Sequence, residues 1–241
     1  MHGRPVPTRP GPRGPIGWES VAKPGGGARL LIRLDANDER RYTRSVARVT
    51  PWVDRARGTT AFANGVERVD TTGIVLRPWT DERRRWTRAK DRWLSDANAV
   101  AVTDVHDCYA SIAPEVIIAR LLELGAPETF VEEIGGWLRG FHDEGIRGLP
   151  AGPPASALLA DAVLPAGDVA LRPIARHVRW VDDVAIFAGD RRRAASALDD
   201  LRAAWTPLGL ELHPGKTAIL DPDEAGGRLT GTSTSGPPAL R

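Results

Sequence analysis

The chain of 241 residues is 41% hydrophobic, enough for one substantial core and too apolar for disorder throughout. Its net charge of +2 divides into +9 over residues 1–100, with 20 Lys/Arg against 11 Asp/Glu, and −7 beyond, with 13 against 20, so a basic part that can attract phosphates precedes an acidic part that can hold cations. Apolar runs far shorter than the ~20 residues of a membrane helix, an N-terminal MHGRPVPTRPGPRG without a secretory apolar stretch, and a lone Cys108 point to a cytoplasmic protein away from membranes, lacking disulfides and thiolate zinc sites, whose metal chemistry would use oxygen ligands.

Residues 1–22 are rich in Pro, Gly and Arg and read as a flexible or irregular tail. In KPGGGARLLIRL, three glycines separate Lys23 from an apolar run ending at Leu34, the pattern of a strand entered from a turn or hairpin. A helix is expected from Glu39 to about Arg57 with Val46, Val49 and Val53 on one face, a strand from Thr71 to Leu76, and a charged helix from Glu82 to Leu94. Residues 23–98 together form one region before the rhythm changes.

From residue 99 short strands alternate with longer helices. AVAVTDV reads as a buried strand, Pro114 starts a helix that Gly125 ends, and Glu128 to about His142 is amphipathic. A glycine- and proline-rich turn region from Gly145 to Pro154 leads into a small-residue helix, Ala155–Leu164. His177–Val181 and Val184–Ala188 read as a hairpin around Asp-Asp, Arg191–Trp205 as a helix, and Leu210–Leu212 and Ala218–Leu220 as short strands flanking Lys216. Residues 222–241 are polar and glycine-rich and read as a second flexible tail. Strand, helix pair, hairpin, helix, strand is the order of an α+β, ferredoxin-like split βαβ sheet with helices on one face over residues 99–221. Many functions share that architecture, so residues must decide.

Asp104 ends an apolar strand, and Asp182 and Asp183 sit side by side at a turn. If the two strands are neighbours, three carboxylates converge, and their repulsion calls for cations. Hard oxygen ligands with room for phosphate oxygens suit Mg²⁺, and two such ions about 3.5–4 Å apart support in-line displacement at phosphorus. Taken singly, Asp-Asp is also a common exposed turn dipeptide and Asp104 an ordinary strand end.

The order of the neighbouring motifs carries a resemblance. TDVHDCYASI is similar to motif A of reverse transcriptases, in which a metal-binding Asp is followed five residues later by an aromatic, here Tyr109. RGLPAGPPASALLADAVL resembles motif B, a glycine-rich loop behind the nascent base pair, through Gly148, Leu149, Pro150, Gly152 and Ser156. Ala151 stands where many members have glutamine, as in divergent defence-associated and abortive-infection branches of the bacterial enzymes. RWVDDVAIF resembles motif C with Trp180 in place of the usual tyrosine, and LGLELHPGKTAIL resembles motif D around Lys216. KPGGGARLLI is similar, less specifically, to the fingers hairpin, which makes Lys23 and Arg29 candidates to grip a triphosphate.

The resemblance implies a polymerase palm with a reduced fingers region and no evident thumb, and an RNA-directed DNA polymerase activity. Asp104, Asp182 and Asp183 would bind two Mg²⁺ ions, with Mn²⁺ as a substitute, and the setting would be anti-phage defence. Tyr109 would screen the ribose 2′-hydroxyl, Gly148, Pro150 and Gly152 would approach the template–nucleotide pair, and Lys216 would protonate or steady the leaving pyrophosphate. A solvated turn lysine is the other reading of Lys216. Implied partners are an RNA template, a DNA product and deoxynucleotides, with an oligomer, structured RNA or second protein supplying the duplex clamp. An RNA-dependent RNA polymerase, a template-independent or protein-primed nucleotidyltransferase, and a catalytically idle nucleic-acid-binding palm are the competing functions. His106, His142, His177 and His213 lack metal-ligand spacing and Asp107 reads as a solvated turn residue, while Trp79, Trp86 and Trp93 recur every seven residues as one packed helical face.

Overall fold

A computed structural model describes residues 11–22, 27–70 and 73–231. Its centre is a five-stranded sheet, ordered β3-β7-β8-β6-β9. These strands are β3 (Ala61–Phe62), β6 (Ala99–Thr103), β7 (Arg176–Trp180), β8 (Asp183–Ala188) and β9 (Ala218–Leu220). All its pairings are antiparallel except β3 with β7.

Every residue of β6 is buried, because both faces of the sheet are covered. Side chains alternate between faces with period two. Ala99 and Ala101 join Val184, Ile186 and Ala188 in the larger core, whereas Val100 and Val102 join Val178, Ala185 and Phe187 in a smaller one. The larger core lies under α5 (Pro114–Glu123), α6 (Glu128–Asp143), α7 (Pro154–Val163), α8 (Pro165–Leu171) and α9 (Arg191–Trp205). This is the expected helical layer. On the other face, α3 (Trp79–Leu94) packs on β7, β3 and β8, and α10 (Pro222–Gly231) packs on β6.

Residues Pro154–Leu171 are apolar enough by length and composition to cross a membrane, yet 72% of the stretch is buried inside the protein. An all-round apolar helix in the core of a fold has that character.

Several elements differ from expectation. The single helix expected over 39–57 is two, α1 (Ala36–Ala47) and α2 (Thr50–Arg57). Asp35 caps the first by accepting from the amides of Asn37 and Asp38, and Pro51 in the first turn of the second has no amide to continue a helix from upstream. Within the expected N-terminal tail, residues 17–22 form β1 (Gly17–Ala22), fully paired with β2 (Ala28–Arg33). A tertiary partner here overrides weak local propensity. In the expected C-terminal tail, α10 forms because Ala225 and Leu229, one turn apart, bury against Val100, Val102 and Leu220. The strand expected at 210–212 is reduced to one bridge between Val105 and Leu212. The strand expected near 71–76 is β5 (Gly73–Leu76), hairpinned with β4 (Val66–Asp70).

Candidate active site

The register of the central strands brings the carboxylates together. β6 and β8 pair up to Thr103 opposite Val184, so Asp104 follows directly alongside Asp183. β7 and β8 close with Trp180 opposite Asp183, leaving Val181 and Asp182 as a two-residue turn. Asp104 is buried at 5% exposure, Asp182 is half-buried and Asp183 is exposed. The 211–217 segment is stitched to the same strand end. The His213 amide donates to the Asp104 carbonyl at 2.8 Å and the His106 amide to the Glu211 carbonyl at 2.8 Å, and the Thr103 and Thr217 hydroxyls are bonded at 2.7 Å. This stitching delivers the Lys216 ammonium onto the Asp104 carboxylate.

Electrostatics of the cluster are unfavourable to three free charges. Desolvation, then repulsion from Asp183 and Asp104, lifts the Asp182 pKa from 3.8 to about 7. The Asp183 carboxyl rises to about 6 through desolvation and repulsion from Asp104, against the pull of Lys216, Arg29 and Arg228. Desolvation alone would lower the Lys216 pKa, but its hydrogen bond to Asp104 and the three negative charges raise it. The cluster therefore holds more negative charge than its one ammonium offsets.

Among the described residues, no three His, Cys, Asp or Glu side chains stand ready to chelate an ion as placed, since Asp104 is turned to Lys216. Their chemistry nevertheless fits a divalent cation. The donors are all hard carboxylate oxygens, and burial together with their mutual repulsion lifts the pKa of two of them to about 7 and about 6.

The glycine-rich loop lies beside this cluster. Gly148 has φ +61°, and a Cβ there would stand 2.2 Å from the Tyr109 carbonyl oxygen. That carbonyl accepts from the Leu149 amide at 2.8 Å, which joins the loop to Tyr109. Gly152, at φ +134°, would bring a Cβ within 2.5 Å of the Ile32 carbonyl, and the Ile32 amide donates to the Ala151 carbonyl at 2.6 Å. The loop thus clamps β2 to α4 (Cys108–Ser111), which carries Tyr109. Pro150, within the loop, is buried. Tyr109 is half-buried, with its pKa raised well above the usual value by desolvation, then by neighbouring Cys108, Asp182 and Asp161. Arg29 is exposed on β2 and close enough to both Tyr109 and Asp183 to offset these charges. Ser156 points away from the carboxylates, its hydroxyl bonded to that of Tyr42 at 3.2 Å. Lys23 lies outside the described residues.

Trp180 is packed rather than free, its ring meeting Trp79 and Trp86 edge-on at 6.1 Å each, with the Arg83 guanidinium 4.2 Å from Trp86 and 5.4 Å from Trp180. The sevenfold tryptophans of α3 are therefore the packed face the spacing predicts. His106 and His213 come together, ring centres 5.2 Å apart, at the segment joined to Asp104, while Asp107 is exposed in a left-handed turn.

Two features escaped the sequence reading. Arg228, on α10, donates to the Lys216 carbonyl at 2.6 Å and reaches the field of Asp183. Behind the turn, the fully buried Arg179 is held by Asp168 on α8 and Asp161 on α7. Burial would raise the Asp168 pKa, but the Arg179 charge and hydrogen bonds from His177 and Arg179 bring it down to about 2. The turn they support is strained. Val181 has φ +56°, which costs a β-branched residue about 1–3 kcal/mol.

A family model described as reverse transcriptase (RNA-dependent DNA polymerase) matches residues 21–226. No curated protein sequence matches the chain. Among solved structures, the fold is similar to a telomerase from Candida albicans, solved with a TWJ fragment of telomeric RNA, at a TM-score of 0.57 and 11% identity over 85% of this chain and 41% of that one. It is also similar to apo telomerase from Candida tropicalis truncated of its C-terminal domain, at 0.51 and 10% over 85% and 49%. The chain thus spans less than half the length of either telomerase. With the family match covering most of its length, the chain belongs to the reverse transcriptase (RNA-dependent DNA polymerase) family.

Proposed function

We propose that this chain copies an RNA template into DNA, adding deoxynucleotides to a primer 3′-hydroxyl, with Asp104, Asp182 and Asp183 holding two Mg²⁺ ions or, in their place, Mn²⁺. The observation that carries this is the β6/β8 register, which aligns a buried Asp104 with the Asp182–Asp183 turn. What the ions supply when bound is activation of the attacking hydroxyl and neutralisation of the triphosphate.

The chain's own residues do the rest. Arg29 faces the cluster from the β1–β2 hairpin and steadies the incoming triphosphate, with Lys23, close to it in sequence, as its partner in that role. Lys216 gives a proton, or its charge, to the departing pyrophosphate. Tyr109, locked to the loop by the Leu149 amide, presents its ring to the sugar and disfavours a 2′-hydroxyl. Gly148, Pro150 and Gly152 shape the loop that faces the template–nucleotide pair, the two glycines letting it pack directly on the Tyr109 and Ile32 backbone, where a Cβ would collide. An RNA template accords with the family description and with the telomeric RNA bound to the Candida albicans protein. Ala151 in the loop makes anti-phage defence the biological setting to examine, by plaque counts with and without an Asp183→Asn variant.

The test is primer extension by the purified chain on RNA and DNA templates with each nucleotide class and Mg²⁺. Template-directed deoxynucleotide addition that disappears in Asp183→Asn supports the proposal. Ribonucleotide addition alone, addition without template, or nucleic-acid binding without any synthesis overturns it in favour of, respectively, an RNA polymerase, a terminal or protein-primed transferase, or a binding palm.

A further inference from the structure

The β7–β8 hairpin places its acidic pair on a turn poorly suited to its sequence. Two-residue hairpin turns favour Gly, Asn or Asp where φ is positive, yet here a valine takes that position. Such a conformation persists only when its surroundings over-determine it. One contact does so directly: Arg179 Nη1 donates to the Val181 carbonyl at 2.7 Å.

The same guanidinium is anchored on its other edges. Its Nε and Nη2 donate to Asp168 at 3.0 and 2.8 Å, and Nη1 also donates to Asp161 Oδ1 at 3.1 Å. Both acids are almost wholly buried, at 1% exposure each. Asp161 continues to Arg57 of α2 at 3.4 Å, and Arg57 to Glu82 of α3 at 3.4 Å. His177, two residues before Arg179 on the same strand face, approaches Asp168 at 3.5 Å and Thr60 at 3.0 Å. A planar, always charged fork with five N–H donors can grip one carboxylate with two of them and still reach a second carboxylate and a carbonyl, four bonds in all where an ammonium has three donors.

We infer that Arg179, oriented by Asp168 and Asp161, is a positioning residue that clamps the Val181 carbonyl and thereby fixes the Asp182–Asp183 turn in its working geometry. Beyond the clamp, Asp161 also faces Arg57 of α2 as an ion pair without a hydrogen bond, and Arg57 faces Glu82 of α3. The inference rests on the polymerase reading for its consequence, and on the turn alone for its physical content.

The test uses the full chain as wild type, Arg179→Lys, and Arg179→Lys combined with Val181→Gly, the glycine removing the strain that the clamp opposes. Amide hydrogen exchange is read without substrate, and kcat and KM for deoxynucleotide with it. In Arg179→Lys, exchange at Asp182 and Asp183 rises about tenfold while β6 is unchanged, as expected for local opening. Its kcat falls about 10- to 100-fold, the range for groups that orient first-contact ligands, with KM little changed. Glycine at position 181 recovers a good part of that loss. Unchanged exchange at the turn, or a loss of kcat that glycine does not relieve, overturns the clamp. If Arg179→Lys fails to fold, Asp168→Asn, which keeps Arg179 in place with a weaker acceptor, is judged by the same readings. A wild type that extends no primer defeats the polymerase reading and leaves the exchange result to decide the clamp.

Discussion

Replacing Asp182 by asparagine separates the site's chemistry from its stability, because the two should move in opposite directions. The Asp182 pKa stands at about 7 rather than 3.8, so the fold favours the protonated acid. That advantage is complete below pH 3.8 and is lost as pH rises through about 7. At about 1.4 kcal/mol per pH unit, a fully shielded carboxyl would cost roughly 4 kcal/mol at alkaline pH. The half-exposed side chain and its sharing of repulsion with Asp183 reduce this to about 1–2 kcal/mol. The asparagine side chain carries no such charge. In urea unfolding with chelator present, Asp182→Asn should therefore be more stable than wild type by about 1–2 kcal/mol near pH 8, and by less than half of that near pH 5. Primer extension by the variant should fall about 100-fold or more, and Mg²⁺ should restore stability to wild type far more than to the variant. A variant that is no more stable at pH 8 than at pH 5, relative to wild type, would show that neither burial nor repulsion from Asp183 and Asp104 penalises the ionised Asp182, and the reasoning would fail.

Three other substitutions probe the frame around the acids. Lys216→Met should reduce kcat for nucleotide addition by about 100-fold with little effect on primer–template affinity measured by anisotropy. Gly148→Ala should destabilise the chain by about 1–3 kcal/mol in denaturant titration, because φ +61° strains an L-residue and the new Cβ meets the Tyr109 carbonyl. Arg57→Met should cost about 1–3 kcal/mol in the same titration, since Asp161 and Glu82 would lose a buried partner while keeping Arg179 and the Arg77–Arg85 pair; a loss below about 0.5 kcal/mol would mean the network is solvated.

The sheet and the acidic cluster were legible because each left a local mark. Asp104 interrupts an apolar strand, Asp182–Asp183 lies between two β-prone runs, and glycines punctuate the loop that must pass close to Tyr109. The N-terminal strand was not, because GWESVA has no marked β pattern and is a strand only by virtue of its partner ARLLIR. Nor was α10, whose apolar contribution, Ala225 and Leu229, is too small to read until the sheet presents a face to cover.

The Arg179 network had a signal of a different kind. Asp161 sits inside ASALLADAVL, a helix otherwise of small and apolar residues and buried along its whole length, and an ionised acid in such a place requires a cation from another element. Sequence can state that requirement but not fill it, since this chain has 33 lysines and arginines and topology alone selects among them. The selection made here joins α7 to β7 at Arg179 and to α2 at Arg57. Because Arg179 stands three residues before Asp182 and gives one Nη1 hydrogen to the Val181 carbonyl, the charge balance of a core helix and the geometry of the acidic turn become one problem, solved by one side chain.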